Sequence, residues 1–203
     1  MYKNTKTDYS KSELPQDTRE EVDLDNYVGA YYSFKLKGKY LDIILDYIKY
    51  CSYAHEEFDL PGMTSYRHCE LNFVPKESKV MKIISGLFKQ LNEKHFHYDL
   101  SGTCEVQIVK YNKGGNYNWH ADYGLSENKD CVRKLSMSIQ LTNYFEYEGC
   151  EVILCDHSRN YSTLSKELGS GMIFDSKTPH KVTPLTKGQR ICLVAWAHGP
   201  QLR

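Results

Sequence analysis

From residue 96 onward the chain alternates, and this period of two limits its fold more than any other feature. In "RKLSMSIQLT", Leu135, Met137, Ile139 and Leu141 alternate with Ser136, Ser138, Gln140 and Thr142. That pattern marks a strand with two unlike faces. "EVQIVKY", "EVILCD", "GMIFDS" and "RICLVAWAH" read as further short strands, separated by turn clusters such as "NKGGN" and "ELGSG". Earlier, "YVGAYYSFKL" reads as a strand. Leu41, Ile44, Leu45 and Ile48 then fall on one helical face. Val80, Ile83, Ile84, Leu87 and Leu91 make a second helical stripe after Pro75. Two helices followed by many short strands predict an α+β, mainly β fold: a jelly roll backed by N-terminal helices. Residues 1–26 are polar with few apolar anchors and read as a tail. Residues 27–203 then form a single domain with its core at 96–200.

The bulk numbers narrow the function classes. Lys plus Arg and Asp plus Glu are 26 each, so no electrostatic footprint for nucleic acid or an anionic membrane is expected. No apolar run reaches membrane-spanning length, and the polar start "MYKNTKTDYSKSELPQD" does not read as a signal peptide. Seven cysteines, an odd number without clustered spacing, predict reduced thiols in a cytoplasm. Cys150 and Cys155 are the closest pair, with nothing nearby to complete a zinc site. Seventeen tyrosines suit a half-polar pocket.

Four residues carry the chemistry: His120 and Asp122 in "NWHADYG", His180 in "TPHKV" and Arg190 in "KGQR". A His-x-Asp doublet alone is weak, because chance supplies it often. Two histidines and a carboxylate can hold one face of an octahedral ferrous ion and leave the other face open. The two-apart spacing of His120 and Asp122 suits a strand end. Arg190 places a forked cation near the metal, shaped to grip a carboxylate with two hydrogen bonds, with Lys187 the next candidate. An open-sided iron beside a carboxylate clamp is what a 2-oxoglutarate-dependent oxygenase needs. If Arg190 faces inward, so do Cys192, Val194, Trp196 and His198; on "EVQIVKY", Gln107 and Val109 face in with Tyr111. His55, His68, His95, His97 and His157 lack a partner at ligand spacing.

The stretches "FHYDLSGTCEVQIVKYNKGGNYNWHADYG", "RKLSMSIQLTNYFEYEGCEVIL" and "GSGMIFDSKTPHKVTPLTKGQRICLVAWAHGP" resemble the 2-oxoglutarate/Fe(II) oxygenases of the prolyl 4-hydroxylase type. The likeness is closest to the small bacterial and phage members called PKHD-type hydroxylases and covers roughly residues 67–200. It implies a double-stranded β-helix with Fe(II) held by His120, Asp122 and His180, and 2-oxoglutarate held by Arg190 with Tyr111. It implies that Trp196 walls the pocket. Gln140 stands where relatives often carry a tyrosine near the co-substrate. Arg133 matches an arginine near the substrate entrance, and Gln107 is the other substrate-side candidate. Residues 123–132, "YGLSENKDCV", read as a lid. O2 and ascorbate follow from the same resemblance, as does a prolyl residue in a peptide or protein as acceptor, in the cytoplasm or in a host's if the chain is phage-encoded.

A free amino acid or small metabolite as acceptor, or a catalytically dead jelly roll acting as a binding module, stays open. A nucleobase demethylase is disfavoured: that branch carries a second arginine six residues past the clamp, where this chain has Trp196. Oligomeric state has no signature in the sequence.

Overall fold

The computed structural model describes residues 22–28, 30–60, 63–102, 104–124 and 131–201. Strands β1 (Val22–Val28) and β2 (Tyr31–Leu36) form an antiparallel hairpin, followed by helix α1 (Gly38–Ile48). A second hairpin, β3 (Ala54–Leu60) with β4 (Met63–Phe73), precedes helix α2 (Lys79–Leu91). The rest is mostly strand: β5 (Cys104–Tyr111), β6 (Asn116–His120), β7 (Val132–Gln140), β8 (Tyr147–Gly149) and β9 (Val152–Cys155). Then come β10 (Tyr161–Thr163), β11 (Ser170–Asp175), β12 (His180–Val182), β13 (Leu185–Gly188) and β14 (Arg190–Gly199).

One antiparallel sheet runs in the order β1-β2-β11-β7-β14-β5-β4-β6-β12-β9-β10, with β3 paired to β4, while β8 and β13 pair separately. The sheet curls on itself. Ser136 of β7 touches Asp122 just beyond β6, although three strands separate β7 from β6 in the sheet order. This is a jelly-roll half-barrel, as the alternating pattern predicts.

The period of two explains the two faces. On β7, Leu135, Met137 and Ile139 join Leu193, Ala195 and Ala197 of β14 in a core under both helices. The α2 stripe of Val80, Ile83, Ile84, Leu87 and Leu91 is buried in that core. Each such aliphatic side chain contributes about 1.5–3 kcal/mol when fully removed from water. Ser78 caps α2, its hydroxyl accepting from the Met81 N–H at 3.0 Å. The polar face of β7 does not meet solvent: Ser136, Ser138 and Gln140 are all buried on the concave side of the curl. A second apolar cluster, including Tyr111, Val109, Cys192, Leu154 and Phe174, fills that side.

Two expectations change. "YVGAYYSFKL" is not one strand; the chain turns back between Val28 and Tyr31. β1 begins at Val22, inside the stretch read as tail, and residues 1–21 lie outside the described residues.

Candidate metal and carboxylate site

His120 ends β6 and lies directly across from His180, the first residue of β12. Asp122 follows two residues later, where the chain leaves the sheet. The His120 Nε2 to Asp122 Oδ1 distance is 3.7 Å, and His180 Nε2 to Asp122 Oδ2 is 3.5 Å. One ligand atom from each lies within 4.8 Å of the other two. Among the described residues these are the side chains that gather as a possible metal-binding group.

The surroundings fix these side chains for a cation. His120 Nδ1 lies 2.7 Å from the Asn118 carbonyl, and His180 Nδ1 lies 3.0 Å from that of Thr178. A carbonyl only accepts, so each Nδ1 carries the proton and each Nε2 lone pair faces the other ligands. Burial, then His180, pushes His120 down to about 4, so its ring is neutral near pH 7. Burial raises Asp122, but His180, His120 and hydrogen bonds from Trp196 and Ser136 outweigh it and hold the carboxyl below its usual range. The Ser136 hydroxyl donates to Asp122 Oδ2 at 2.7 Å and lies 2.9 Å from the Ser176 hydroxyl. Two imidazoles and one ionised carboxylate are the donor set that suits ferrous iron.

Arg190 begins β14, opposite Tyr111 at the end of β5. The approach is a tight one. Gly188 has φ +75°, and a Cβ there would stand 2.1 Å from the Glu146 carbonyl oxygen, which glycine alone avoids. Arg190 is 1% exposed. Its Nε donates to Gln140 Oε1 at 2.9 Å, and Gln140 Nε2 donates in turn to the Tyr147 hydroxyl at 2.8 Å. Its Cζ sits 5.6 Å from the Tyr111 ring centroid. Its Nη2 is buried with no hydrogen-bond partner. Burial works against the Arg190 charge, but Cys192, Cys150, Tyr147 and Tyr111 keep the guanidinium protonated. No described carboxylate pairs with it. A desolvated cation without an anion is costly, and a guest carboxylate would neutralise it. The residues therefore fit both an Fe(II) ion and a carboxylate co-substrate in one cavity, which His120, Asp122, His180, Arg190, Tyr111 and Trp196 all line.

Residues 106–198 match the 2OG-Fe(II) oxygenase superfamily. That stretch, under half of the chain, is similar to a 2OG-Fe(II) oxygenase domain. Among curated relatives, a PKHD-type hydroxylase of Alteromonas mediterranea is 27% identical over 130 residues, 60% of this chain and 56% of that protein. One from Gloeothece citriformis is 33% identical over 89 residues, 43% of this chain and 39% of the relative. The chain thus spans about half or less of these relatives' length. Solved structures share the fold. A viral collagen prolyl hydroxylase from Paramecium bursaria Chlorella virus-1 superposes with TM-score 0.60 at 18% identity, covering 84% of this chain and 96% of that one. A Trichoplax adhaerens prolyl hydroxylase, solved with a hypoxia inducible factor peptide, gives 0.61 at 15% identity, with 84% of each chain covered.

Within the matched stretch, other expected residues fall differently. Gln140 accepts from Arg190 itself, so it orients that guanidinium. Trp196 walls the cavity and also donates to Asp122. Gln107 and Arg133 are not on the cavity wall. Gln107 Nε2 donates to Glu105 Oε1 at 2.9 Å, and Arg133 Nη2 donates to Glu105 Oε2 at 2.9 Å, with its Cζ 3.9 Å over the Trp196 ring. Glu105, two residues along the same strand face, draws both side chains to itself. Most of the expected lid, residues 125–130, lies outside the described residues. Lys187 is exposed and pairs with Glu148 at 2.9 Å, away from the clamp role. The other histidines have structural company: His95 stacks on Tyr32 at 4.0 Å, and His55 meets His68 edge-on at 5.1 Å. Sequence reasoning missed Ser136, Tyr147, Tyr117 and Arg67. Only Ser136 had a signal, as a polar position in an alternating strand.

Proposed function

We propose that this chain is an Fe(II)- and 2-oxoglutarate-dependent hydroxylase whose acceptor is a prolyl residue of a peptide or protein. The observation that carries the reading is the buried Arg190 guanidinium, without an anionic partner, in the same cavity as the His120–Asp122–His180 group. Ferrous iron held by that group supplies, with 2-oxoglutarate and O2, the oxidation of an unactivated C–H bond to an alcohol, with succinate and CO2 as co-products. The protein's part is to position and to shield. Arg190, oriented by Gln140, would hold the far carboxylate of the co-substrate, with Tyr111 beside it. Ser136 and Trp196 hold Asp122 in one rotamer, so the metal face stays fixed while guests enter. The apolar lining from Val109, Phe174 and Val182 keeps water from competing.

The prolyl acceptor is supported by the PKHD-type relatives and by the prolyl hydroxylases of like fold. A proline peptide already lies near polyproline II, so ordering it in a cavity mouth costs little. Formal charge neutrality favours a peptide over nucleic acid. Ascorbate supports turnover by keeping the iron reduced. A reducing cytoplasm suits the thiols of Cys51, Cys69, Cys104, Cys150, Cys155 and Cys192. No helix among the described residues is long and apolar enough to cross a membrane.

Incubation with Fe(II), 2-oxoglutarate, ascorbate and a panel of proline peptides beside free proline tests the acceptor. Mass spectrometry should find one added oxygen on peptidyl proline. Turnover of free proline with every peptide inert would move the assignment to a small-metabolite hydroxylase. Tight metal and co-substrate binding with no oxidised product and no succinate would leave a binding module.

A further inference from the structure

A second, smaller cavity lies between the β1–β2 hairpin, Phe96 beyond α2 and the chain just past β9 and β11, with a volume of about 140 Å³. Aromatic rings form its corner. The Tyr27 and Tyr32 rings stand 5.0 Å apart with 50° between their planes, and Phe96 stands 5.3 Å from Tyr32 at 76°. Tyr31 adds a fourth ring to the wall. Asp156, just after β9, and Asp175, the last residue of β11, bring carboxylates to the same wall. Thr178 lines the cavity as well, and its carbonyl is the one that faces His180 Nδ1. The cavity and the metal-binding group therefore share the β11–β12 turn. Tyr27 is 61% exposed, so the cavity opens to solvent.

Among the described residues, no lysine or arginine lines this cavity. Asp175 Oδ1 accepts from the Lys177 backbone N–H at 2.7 Å, and Oδ2 accepts from the Tyr98 hydroxyl. Asp156 accepts from the Asn160 backbone N–H at 2.8 Å and from its side-chain amide at 3.0 Å. These donors are neutral, so they fix both carboxylates without cancelling their charge. The Asn160 hydrogen bonds also hold Asp156 below the usual carboxylate range. The nearby ammonium groups are engaged elsewhere. Lys134 Nζ lies over the Tyr98 ring at 5.9 Å and Lys177 Nζ over the Tyr123 ring at 5.0 Å, and neither lines the cavity. Ring faces carry negative potential, and rings set at steep angles attract a cation from several sides. Two uncompensated carboxylates favour the same guest and repel an anion. A cavity of about this size accepts a guest as large as benzene, which matches a methylated ammonium head.

We propose that this cavity is a binding site for an alkylammonium cation, carried by a basic residue of a peptide or by a free quaternary ammonium compound. The rings of Tyr27, Tyr32 and Phe96 receive the cation, and Asp156 and Asp175 balance its charge. The site is separate from the cavity that holds His120, Asp122, His180 and Arg190, so it goes beyond the hydroxylase reading and does not depend on it. A peptide held there by a lysine would be tethered beside the turn that carries His180.

The test uses the full chain, with and without Zn(II) and saturating 2-oxoglutarate. Choline, its uncharged isostere dimethylbutanol, and acetyl-lysine N-methylamide are titrated separately at constant ionic strength, and binding is read by saturation-transfer NMR on the ligand protons. Choline or the blocked lysine should bind saturably, at least tenfold more tightly than the isostere. Affinity should fall at least fivefold in Tyr27→Ala and in Asp156→Asn. It should not change in Tyr144→Ala, whose ring is equally exposed but lies outside the cavity. A thermal melt confirms that each variant is folded, and either cavity variant suffices if the other is not. Binding of the blocked lysine assigns the site to a basic residue of a peptide; binding of choline alone assigns it to a free quaternary ammonium compound. An isostere that binds as tightly as choline, unchanged affinity in the cavity variants, equal loss in Tyr144→Ala, or no saturable binding overturns the proposal. Failure to take up Zn(II) or 2-oxoglutarate would count against the hydroxylase reading alone, because the titration of the unloaded protein still decides this one.

Discussion

Arg190→Met should weaken 2-oxoglutarate binding at least a hundredfold and leave metal binding within a fewfold of wild type. Methionine roughly preserves the length and apolar stem of the side chain, so the cavity wall is kept while the charged fork is lost. Removing one partner of a buried, hydrogen-bonded charge pair costs about 3–5 kcal/mol, or roughly two to three and a half decades in affinity. The stability of the unliganded protein should behave in the opposite way. With no guest, wild type holds a desolvated cation whose Nη2 is unpartnered. Thermal unfolding of the unliganded variant should therefore occur at or above the wild-type temperature. Calorimetric titration of 2-oxoglutarate into the Zn(II)-loaded proteins reads the first effect and a thermal melt the second. Unchanged co-substrate affinity would place the clamp on another residue, and Lys187 is a poor one, being 75% exposed.

His180→Ala should abolish tight metal binding. His180 is 7% exposed and lies across the strand pair from His120. Its loss leaves one imidazole and one carboxylate, a set that free water and buffer compete with easily. Substitutions in the shell around a metal already cost 10–100-fold, so loss of a direct ligand should cost more than about a hundredfold. Ferrous ion at a hundred times its dissociation constant stabilises a folded protein by about 2.7 kcal/mol. The wild-type melting temperature should rise with anaerobic Fe(II), and the variant's should not. Equal stoichiometry and affinity in both proteins would remove His180 from the ligand set.

Much of this site was legible in the sequence because it depends on short-range regularities. His120 and Asp122 sit two apart at a strand end, and Arg190 follows a glycine turn. The alternation of β7 placed Ser136 and Gln140 on one face, although it could not say that the face was a closed cavity instead of solvent. Gln140 stood out as a departure from relatives, and the structure explains the departure: its amide bridges Arg190 and Tyr147. What was not legible depends on register between distant strands. Arg67 reaches the cavity only because β4 pairs with β6 so that Arg67 lies opposite Tyr117. No spacing within "TSYRHCE" announces that. Gln107 reads as facing inward with Tyr111, but inward direction is not the same as cavity contact. The inner face of β5 extends past the cavity to Glu105, which binds both Gln107 and Arg133. The turn between β1 and β2 was missed because apolar and aromatic residues run through it without a strong turn signal.

The oxygenase reading is tested most directly by following 2-oxoglutarate itself. Purified protein is incubated with Fe(II), 2-oxoglutarate and O2, and succinate is quantified beside an Asp122→Ala control and a metal-free blank. Even without an acceptor, slow decarboxylation should yield succinate in wild type, stoichiometric with the 2-oxoglutarate consumed, and none above blank in the control. Wild-type protein that binds both iron and 2-oxoglutarate yet forms no succinate, with or without the peptide panel, would contradict it.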